Sequence, residues 1–267
     1  MASPGDLTVR SGRVKIVRRL ATRAFRVKTG EFVAEGPQAV REALAAVSDA
    51  GEGVVIEVFA TADATERYPE LEAQAETWHV VTDDVVEAIA DSVTPQGLVA
   101  RCRSVLGTLT DVPTDARLVV VCAEIRDPGN LGAVIRCADA AGAAAVVVAG
   151  ESVDPLNPKV VRATAGSLFH LPIAVEDDVE SVIAELQSRG MQVLAADGAG
   201  ETGLFDDDLD LVAPTAWLMG NEAHGLPDSL VAAADRAVHV PILGRAESLN
   251  LATAAAVCLY TSAREQG

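Results

Sequence analysis

Several residue types are scarce in this chain, and each scarcity removes a class of protein. Only 3% of the 267 residues are aromatic, whereas 49% are hydrophobic. The packing must therefore rest on small and branched aliphatic side chains, and the abundant Ala and Val indicate a well-packed α/β protein rather than a disordered one. The four cysteines, Cys102, Cys122, Cys137 and Cys258, show no CxxC spacing. The four histidines are equally scattered. This pattern argues against a disulfide framework and against a metal centre, and the expectation is small core thiols in a cytoplasmic, metal-free protein. No apolar run approaches the roughly 18 residues of a membrane span, and the first residues lack the basic-then-apolar order of a signal peptide. A membrane partner is not expected.

A surplus of positive charge is also missing. The net charge is −18, which taken alone speaks against a nucleic-acid partner. Its distribution reverses that inference. Within residues 1–30, Arg10, Arg13, Lys15, Arg18, Arg19, Arg23, Arg26 and Lys28 face the single acid Asp6, a local charge of +7 that leaves −25 on the rest. On a helix, Lys15, Arg19, Arg23 and Arg26 would share one face. Such a segment is either a solvated surface helix or a phosphate-binding arm, since neutralised phosphates release counterions whatever the sequence bound. An acidic body would confine a polyanion to that arm.

Two domains are expected. Residues 1–103 read as a small α/β unit carrying the arm at about 8–30. In it "EFVAEG", "GVVIEVFAT", "TWHVVT" and "GLVARCR" are strand-like, while "PQAVREALAAVSDA" and "DDVVEAIADS" have helical period. Residues 104–116, "SVLGTLTDVPTDA", lose periodicity and read as a linker. From residue 117 to 267, six strand-like segments ("RLVVVCAEI", "AAAVVVAG", "LPIAVE", "QVLAADG", "TAWLMG", "AVHVPIL") alternate with helices near 131–141, 157–167, 178–189, 227–235 and 249–264. Continuous apolar strands separated by helices indicate a parallel sheet covered on both faces. Ligands of such sheets bind at the carboxyl ends of the strands.

The loops after strands therefore matter most. "DGAGETG" carries Gly198, Gly200 and Gly203 in dinucleotide spacing, but "LFDDDLDLVAP" follows it. No helix N-terminus is available there to receive a pyrophosphate. Three other loops differ in character. "EIRDPGNLGAVIR" places Asn130 and Gly132 at a helix start and puts one cation, Arg136, among small and apolar residues. Arg136 could simply pair with Asp139, three residues on, or it could serve a site that needs a fixed positive charge. "LMGNEAHGLP" holds Gly220, Asn221, Glu222 and Gly225, and "VPILGRAESLN" ends in Ser248, Leu249 and Asn250 before an Ala-rich helix. Taken singly, these are a cap, a turn and a cap.

In this order and spacing, NxGxxxR (130–136), GNExxG (220–225) and SLN (248–250) resemble the three motifs of the SpoU (TrmH-like) RNA 2′-O-ribose methyltransferases of the SPOUT superfamily. The likeness extends over nearly the whole chain, through "DPLNPKVVRATAGSLFHLP", "FVAEGPQAVREAL" and "DSVTPQGLVA". Its strongest flavour is that of the actinobacterial ribosomal-RNA methylases that include the thiostrepton-resistance type. The resemblance implies a C-terminal parallel-sheet SPOUT domain with a deep trefoil knot, an N-terminal substrate-binding domain, a homodimer, and S-adenosylmethionine as cofactor. Leu218, Met219, Gly220, Asn221, Gly225, Val240, Ile242 and Leu249 would meet the cofactor, largely through backbone. The small aromatic content agrees, since nothing in this arrangement needs stacked rings.

The implied reaction methylates a ribose 2′-hydroxyl, with 23S ribosomal RNA the expected substrate. A transfer-RNA enzyme, or an inactive RNA- or ribosome-binding relative, is the alternative. The attacking oxygen must lie behind the methyl carbon, opposite sulfur, with its developing charge stabilised. A guanidinium does not give up its proton in proteins. Arg136 is therefore expected to anchor the RNA phosphate and the incipient alkoxide rather than to act as base. Asn130 would orient the ribose or the Arg136 loop, Glu222 and Asn250 would hold the pocket, and Ser248 would hydrogen-bond near the target ribose. The basic arm and N-terminal domain would select the RNA.

Overall fold

The computed structural model describes residues 7–47, 51–222 and 224–267. The chain divides into two compact units, one of residues 1–105 with 154–170 and one of residues 106–153 with 171–267.

The first unit begins with α1 (Gly12–Arg19) and α2 (Arg23–Thr29), followed by β1 (Glu31–Glu35) and α3 (Pro37–Ala45). Then come β2 (Val55–Thr61), α4 (Ala62–Arg67), α5 (Pro69–Glu72), β3 (Trp78–Val81), α6 (Asp83–Ile89) and β4 (Leu98–Arg103). Its sheet has the order β1-β4-β2-β3, antiparallel except for the β2–β3 pair. The four strands fall where the apolar alternation placed them. The end of "PQAVREALAAVSDA" (48–50) lies outside the described residues. Alternation along the strands sends Val33, Phe59 and Val99 to one face, where Val14, Val17 and Leu20 pack with Val85, Val86 and Ile89.

The second unit opens with β5 (Leu106–Gly107), β6 (Leu118–Ala123), α7 (Pro128–Ala140) and β7 (Ala145–Ala149). The chain then returns to the first unit as α8 (Pro158–Thr164). The second unit resumes with β8 (Ile173–Glu176), α9 (Val179–Ser188), β9 (Gln192–Ala196), β10 (Thr202–Gly203) and β11 (Thr215–Met219). It closes with α10 (Asp228–Ala233), β12 (Arg236–His239) and α11 (Leu251–Gln266). All eight strands are parallel, in the order β10-β12-β9-β11-β6-β7-β8-β5. Val119, Val121, Val147 and Val193 pack against Val182, Ile183 and Leu186 of α9 and Leu230 of α10. Trp217, fully buried, donates its indole hydrogen to Ser262 Oγ of α11 at 2.9 Å. Helices therefore cover both faces, as the uninterrupted apolar strands required.

Two boundaries differ from the sequence expectation. Residues 104–116 are not a free linker, because Leu106 and Gly107 pair with β8 and Val112 and Ala116 enter the core of the second unit. Too few of these residues are apolar to announce a strand, yet edge pairing satisfies their backbone. Residues 154–170, read as part of the C-terminal domain, belong to the first unit. There α8 packs on β1, Phe169 stacks with Phe32 at 6.1 Å, and Arg162 reaches Asp91 at 3.2 Å and Glu35 at 3.5 Å. These partners are more than 70 residues distant in sequence, so no local pattern could reveal them.

Candidate active site

Strand order explains why three distant motifs meet. β12, β9, β11 and β6 are neighbours and run in one direction, so their carboxyl ends open on the same side of the sheet. The loop after β6 begins with Glu124 in a left-handed conformation (φ 58°) and ends at Asp127, which caps α7 by accepting from the Asn130 amide at 2.8 Å. Asn130 is thus not the cap, and its side chain is available for other work. Its Nδ2 donates to Glu222 Oε1 at 3.0 Å, and its Oδ1 accepts from Asn250 Nδ2 at 3.0 Å. Asn250 meanwhile caps α11 through the Ala252 amide at 2.9 Å. One residue from each motif is joined in a single hydrogen-bonded chain.

The middle motif folds back tightly. Asn221 and Gly225 exchange two backbone hydrogen bonds, at 3.1 and 2.9 Å, and Asn221 Nδ2 donates to the Glu124 carbonyl at 2.9 Å. A Cβ on Gly220 would lie 2.7 Å from the Gly225 carbonyl carbon and from Leu226 Cγ. Only glycine allows that approach. Ala223, inside this motif, lies outside the described residues.

Beside this turn lies a cavity of about 250 Å³. Its apolar wall includes Val238, Val240, Ile242, Leu249 and Leu251, with Gly220, Asn221, Glu222, Gly225 and Ser248 also lining it. Asp197, Gly198, His239, Glu247 and Ala254 complete much of the remainder. A Cβ on Gly198 or Gly225 would meet no atom within 4 Å, so backbone forms those stretches of wall. Apolar sides for a flat ring, exposed backbone for its polar edge and carboxylates for a cation suit a positively charged nucleoside ligand. The volume of about 250 Å³ falls just below the usual range of ligand sites, about 300 to 1,000 Å³.

The expected site residues separate on this geometry. Asn130, Glu222 and Asn250 are united by hydrogen bonds, and Gly220, Asn221, Gly225, Val240, Ile242, Ser248 and Leu249 line the cavity. Leu218 and Met219 do not line it. Both are fully buried residues of β11, and side chains of a central strand go to the helical layers. Arg136 is exposed on α7, about 9 Å along the axis from Asn130, and is not among the lining residues. Asp197, Gly198, His239 and Glu247 were missed. Asp197 follows an apolar parallel strand directly, the signal that could have found it, while its glycine-rich sequel drew attention to a dinucleotide fingerprint instead.

The arm also departs from expectation. It is two helices broken at residues 20–22, not one, so Lys15, Arg19, Arg23 and Arg26 share no common face. Arg26 is buried. It donates through Nε and Nη2 to Asp154 Oδ2 at 2.8 and 2.6 Å, and through Nη1 to the Leu20 and Ala21 carbonyls at the end of α1. It neutralises a helix C-terminus and cannot meet RNA. Arg13 is drawn to Glu57 at 2.6 Å, and Arg19 lies over the Phe25 ring at 4.0 Å. Arg10, Lys15, Arg18, Arg23 and Lys28 are exposed.

Cys102, Cys122 and Cys258 are buried, and desolvation raises all three thiols, Cys102 and Cys258 to about 12. Half-buried Cys137 is raised by burial against the opposing charge of Arg136. None is a thiolate nucleophile at neutral pH. Among the described residues, no group of three or more His, Cys, Asp or Glu is placed to hold a metal ion.

Fold and site together define an α/β, strand-end ligand-binding protein whose site is assembled from three separate loops. Residues 117–260 match the SpoU rRNA Methylase family, and residues 12–100 match the MRM3-like substrate binding domain. The chain belongs to the SpoU rRNA methylase family. It is 34% identical, over 95% of its length and 96% of the relative's, to the 23S rRNA (guanosine(2553)-2′-O)-methyltransferase RlmP of Bacillus subtilis. An AdoMet-bound rRNA methyltransferase from Sinorhizobium meliloti superposes with a TM-score of 0.82 at 32% identity, covering 96% of both chains. The SpoU methyltransferase AviRb from Streptomyces viridochromogenes, in complex with AdoMet, gives 0.82 at 29% identity, covering 96% of this chain and 99% of that one.

Proposed function

We propose that this protein is an S-adenosylmethionine-dependent methyltransferase that methylates a ribose 2′-hydroxyl of 23S ribosomal RNA. The observation that carries the reading is the Asn250–Asn130–Glu222 chain, which joins all three family motifs beside a cavity of about 250 Å³. The relatives named above, acting on 23S rRNA or holding AdoMet, support the substrate and the cofactor.

When bound, the cofactor supplies an electrophilic methyl carbon on a sulfonium. Gly220, Gly225, Val240, Ile242 and Leu249 hold it, through backbone and an apolar wall. Asn130, fixed at both ends of its amide, sets the geometry of the α7 N-terminus. Arg136 remains charged and serves the RNA phosphate and the developing alkoxide. Because Arg136 does not line the cavity of its own chain, we place the working site at a homodimer interface that brings an Arg136 to it. Ser248, exposed on the loop before α11 and lining the cavity, would hydrogen-bond near the target ribose. The exposed cations of α1 and α2 take RNA phosphates, and we propose that the last helix is threaded as a trefoil knot. Unpaired, buried thiols fit a reducing cytoplasm.

The test is a map of 2′-O-methyl groups on ribosomal and transfer RNA from cells with and without the gene. One 23S position should lose its methyl group. A loss confined to transfer RNA, or no loss at all, would overturn the substrate assignment.

A further inference from the structure

We propose that the Asp197 carboxylate takes the ribose hydroxyls of the cofactor, an assignment that rests on the cofactor reading above. Asp197 is the first residue past β9, between the ends of β11 and β12, whose own continuations Gly220 and Val240 line the same cavity. Its position is fixed by its surroundings. The Asp197 amide donates to the Val238 carbonyl at 3.0 Å, and its own carbonyl accepts from the Gly200 amide at 3.0 Å. His239 Nδ1 is 2.9 Å from the Gly200 carbonyl oxygen, which pins the far side of the turn. A Cβ on Gly200 would sit 2.7 Å from the Ala237 carbonyl group, so the turn lies flat against β12.

Within the carboxylate, Oδ1 accepts from the Ala199 amide at 2.8 Å, while Oδ2 has no hydrogen-bond partner among the described residues. The other polar groups of the wall differ. Glu222 gives one oxygen to Asn130 and is exposed, as is Glu247, while the Asn221 amide donates to the Glu124 carbonyl. Asp197 is thus the half-buried, turn-anchored carboxylate of the wall with an oxygen to spare. An ionised carboxylate is an acceptor only, so its complement on a nucleoside is a pair of hydroxyl donors. The same chemistry places an acidic residue on the ribose in other parallel-sheet nucleotide sites.

Calorimetric binding of S-adenosylhomocysteine, compared with its 2′-deoxyribose and 3′-deoxyribose counterparts, tests this without turnover. Wild type should prefer the full ribose by about tenfold or more, as expected for hydrogen bonds to a charged acceptor. In Asp197→Ala that preference should fall to about twofold or less, because no charged acceptor remains. Asp197→Asn, which can still accept from Ala199, should be intermediate. Wild type that binds no S-adenosylhomocysteine would bring down the cofactor reading itself. Wild type that binds it, with undiminished discrimination in Asp197→Ala, would overturn only the assignment of Asp197. If the alanine variant binds neither ligand, the asparagine variant decides: reduced discrimination supports the assignment, and wild-type discrimination overturns it. Loss of all binding in both variants also overturns it, since the carboxylate would then serve the turn and not the diol.

Discussion

Arg136 and Glu57 show how differently two charged residues are used. Arg136 stays exposed on α7 in a helix whose other side chains are mostly small or buried. On the proposed reading, that exposed charge serves the RNA. Arg136→Ala should abolish methylation, costing about 2.7–4 kcal/mol or more in transition-state stabilisation, by analogy with removing one oxyanion donor. Cofactor affinity should stay within about threefold, because the side chain does not line the cavity. Near-normal turnover would contradict the role. Glu57, at 1% exposure, instead serves the fold. Burial pushes its pKa up, but hydrogen bonds from Arg13, Arg101 and His79 outweigh that and leave it lowered. A carboxylate with a depressed folded-state pKa stabilises above its unfolded value, 4.5, and loses that contribution as pH falls through the folded value. Thermal melts should therefore show an acid-side loss of stability below about pH 4.5. The loss should be shallower in Glu57→Gln, and identical acid limbs would refute the assignment.

At the scale of elements, the basic arm divides into cations that hold the fold and cations left exposed, which on the proposed reading take RNA phosphates. Replacing Arg18 and Arg23 with Ala should weaken RNA binding most at low salt. It should also flatten the salt dependence by a slope of about 0.7–0.9 for each phosphate that is no longer neutralised. An unchanged slope would show these two helices to be merely solvated. Arg26→Ala should behave in the opposite way. Its removal leaves Asp154 with an uncompensated, largely buried charge, at a cost of about 3–5 kcal/mol. Denaturant titration should register that loss, while the salt slope of the remaining folded protein should hold. Stability equal to wild type would mean the pair is worth little.

For the whole molecule, the chain passes between its two units at residues 105–106, 153–154 and 170–171. The first unit is thus completed by a segment from within the SpoU-matching region, and the two matched families are structurally interleaved. Assembly should extend this interdependence. If an Arg136 reaches the cavity across a two-fold interface, the protein should be dimeric at nanomolar concentration, and variants made monomeric should be inactive. Light scattering paired with activity assays decides the matter, and an active monomer would exclude a shared site.

Local patterns determined most of the elements. Apolar runs placed β6, β7, β8, β9 and β11, and the lack of a helical pattern after "DGAGETG" spoke against a dinucleotide fingerprint. The three motifs were legible through their resemblance, in order and spacing, to a known family, since taken singly they read as a cap, a turn and a cap. Tertiary structure alone decided the rest. The two-residue strands β5 and β10 take their form from neighbouring strands, since so short a segment has no periodicity of its own. Residues 154–170 owe their place to Arg26, Glu35 and Phe32, partners far away in sequence. Asp197 became a site residue only because β9 lies between β11 and β12, and strand order is set by packing of whole helices on a sheet. Arg26, indistinguishable from its basic neighbours in the sequence, turned inward because a helix end and a buried carboxylate required its charge.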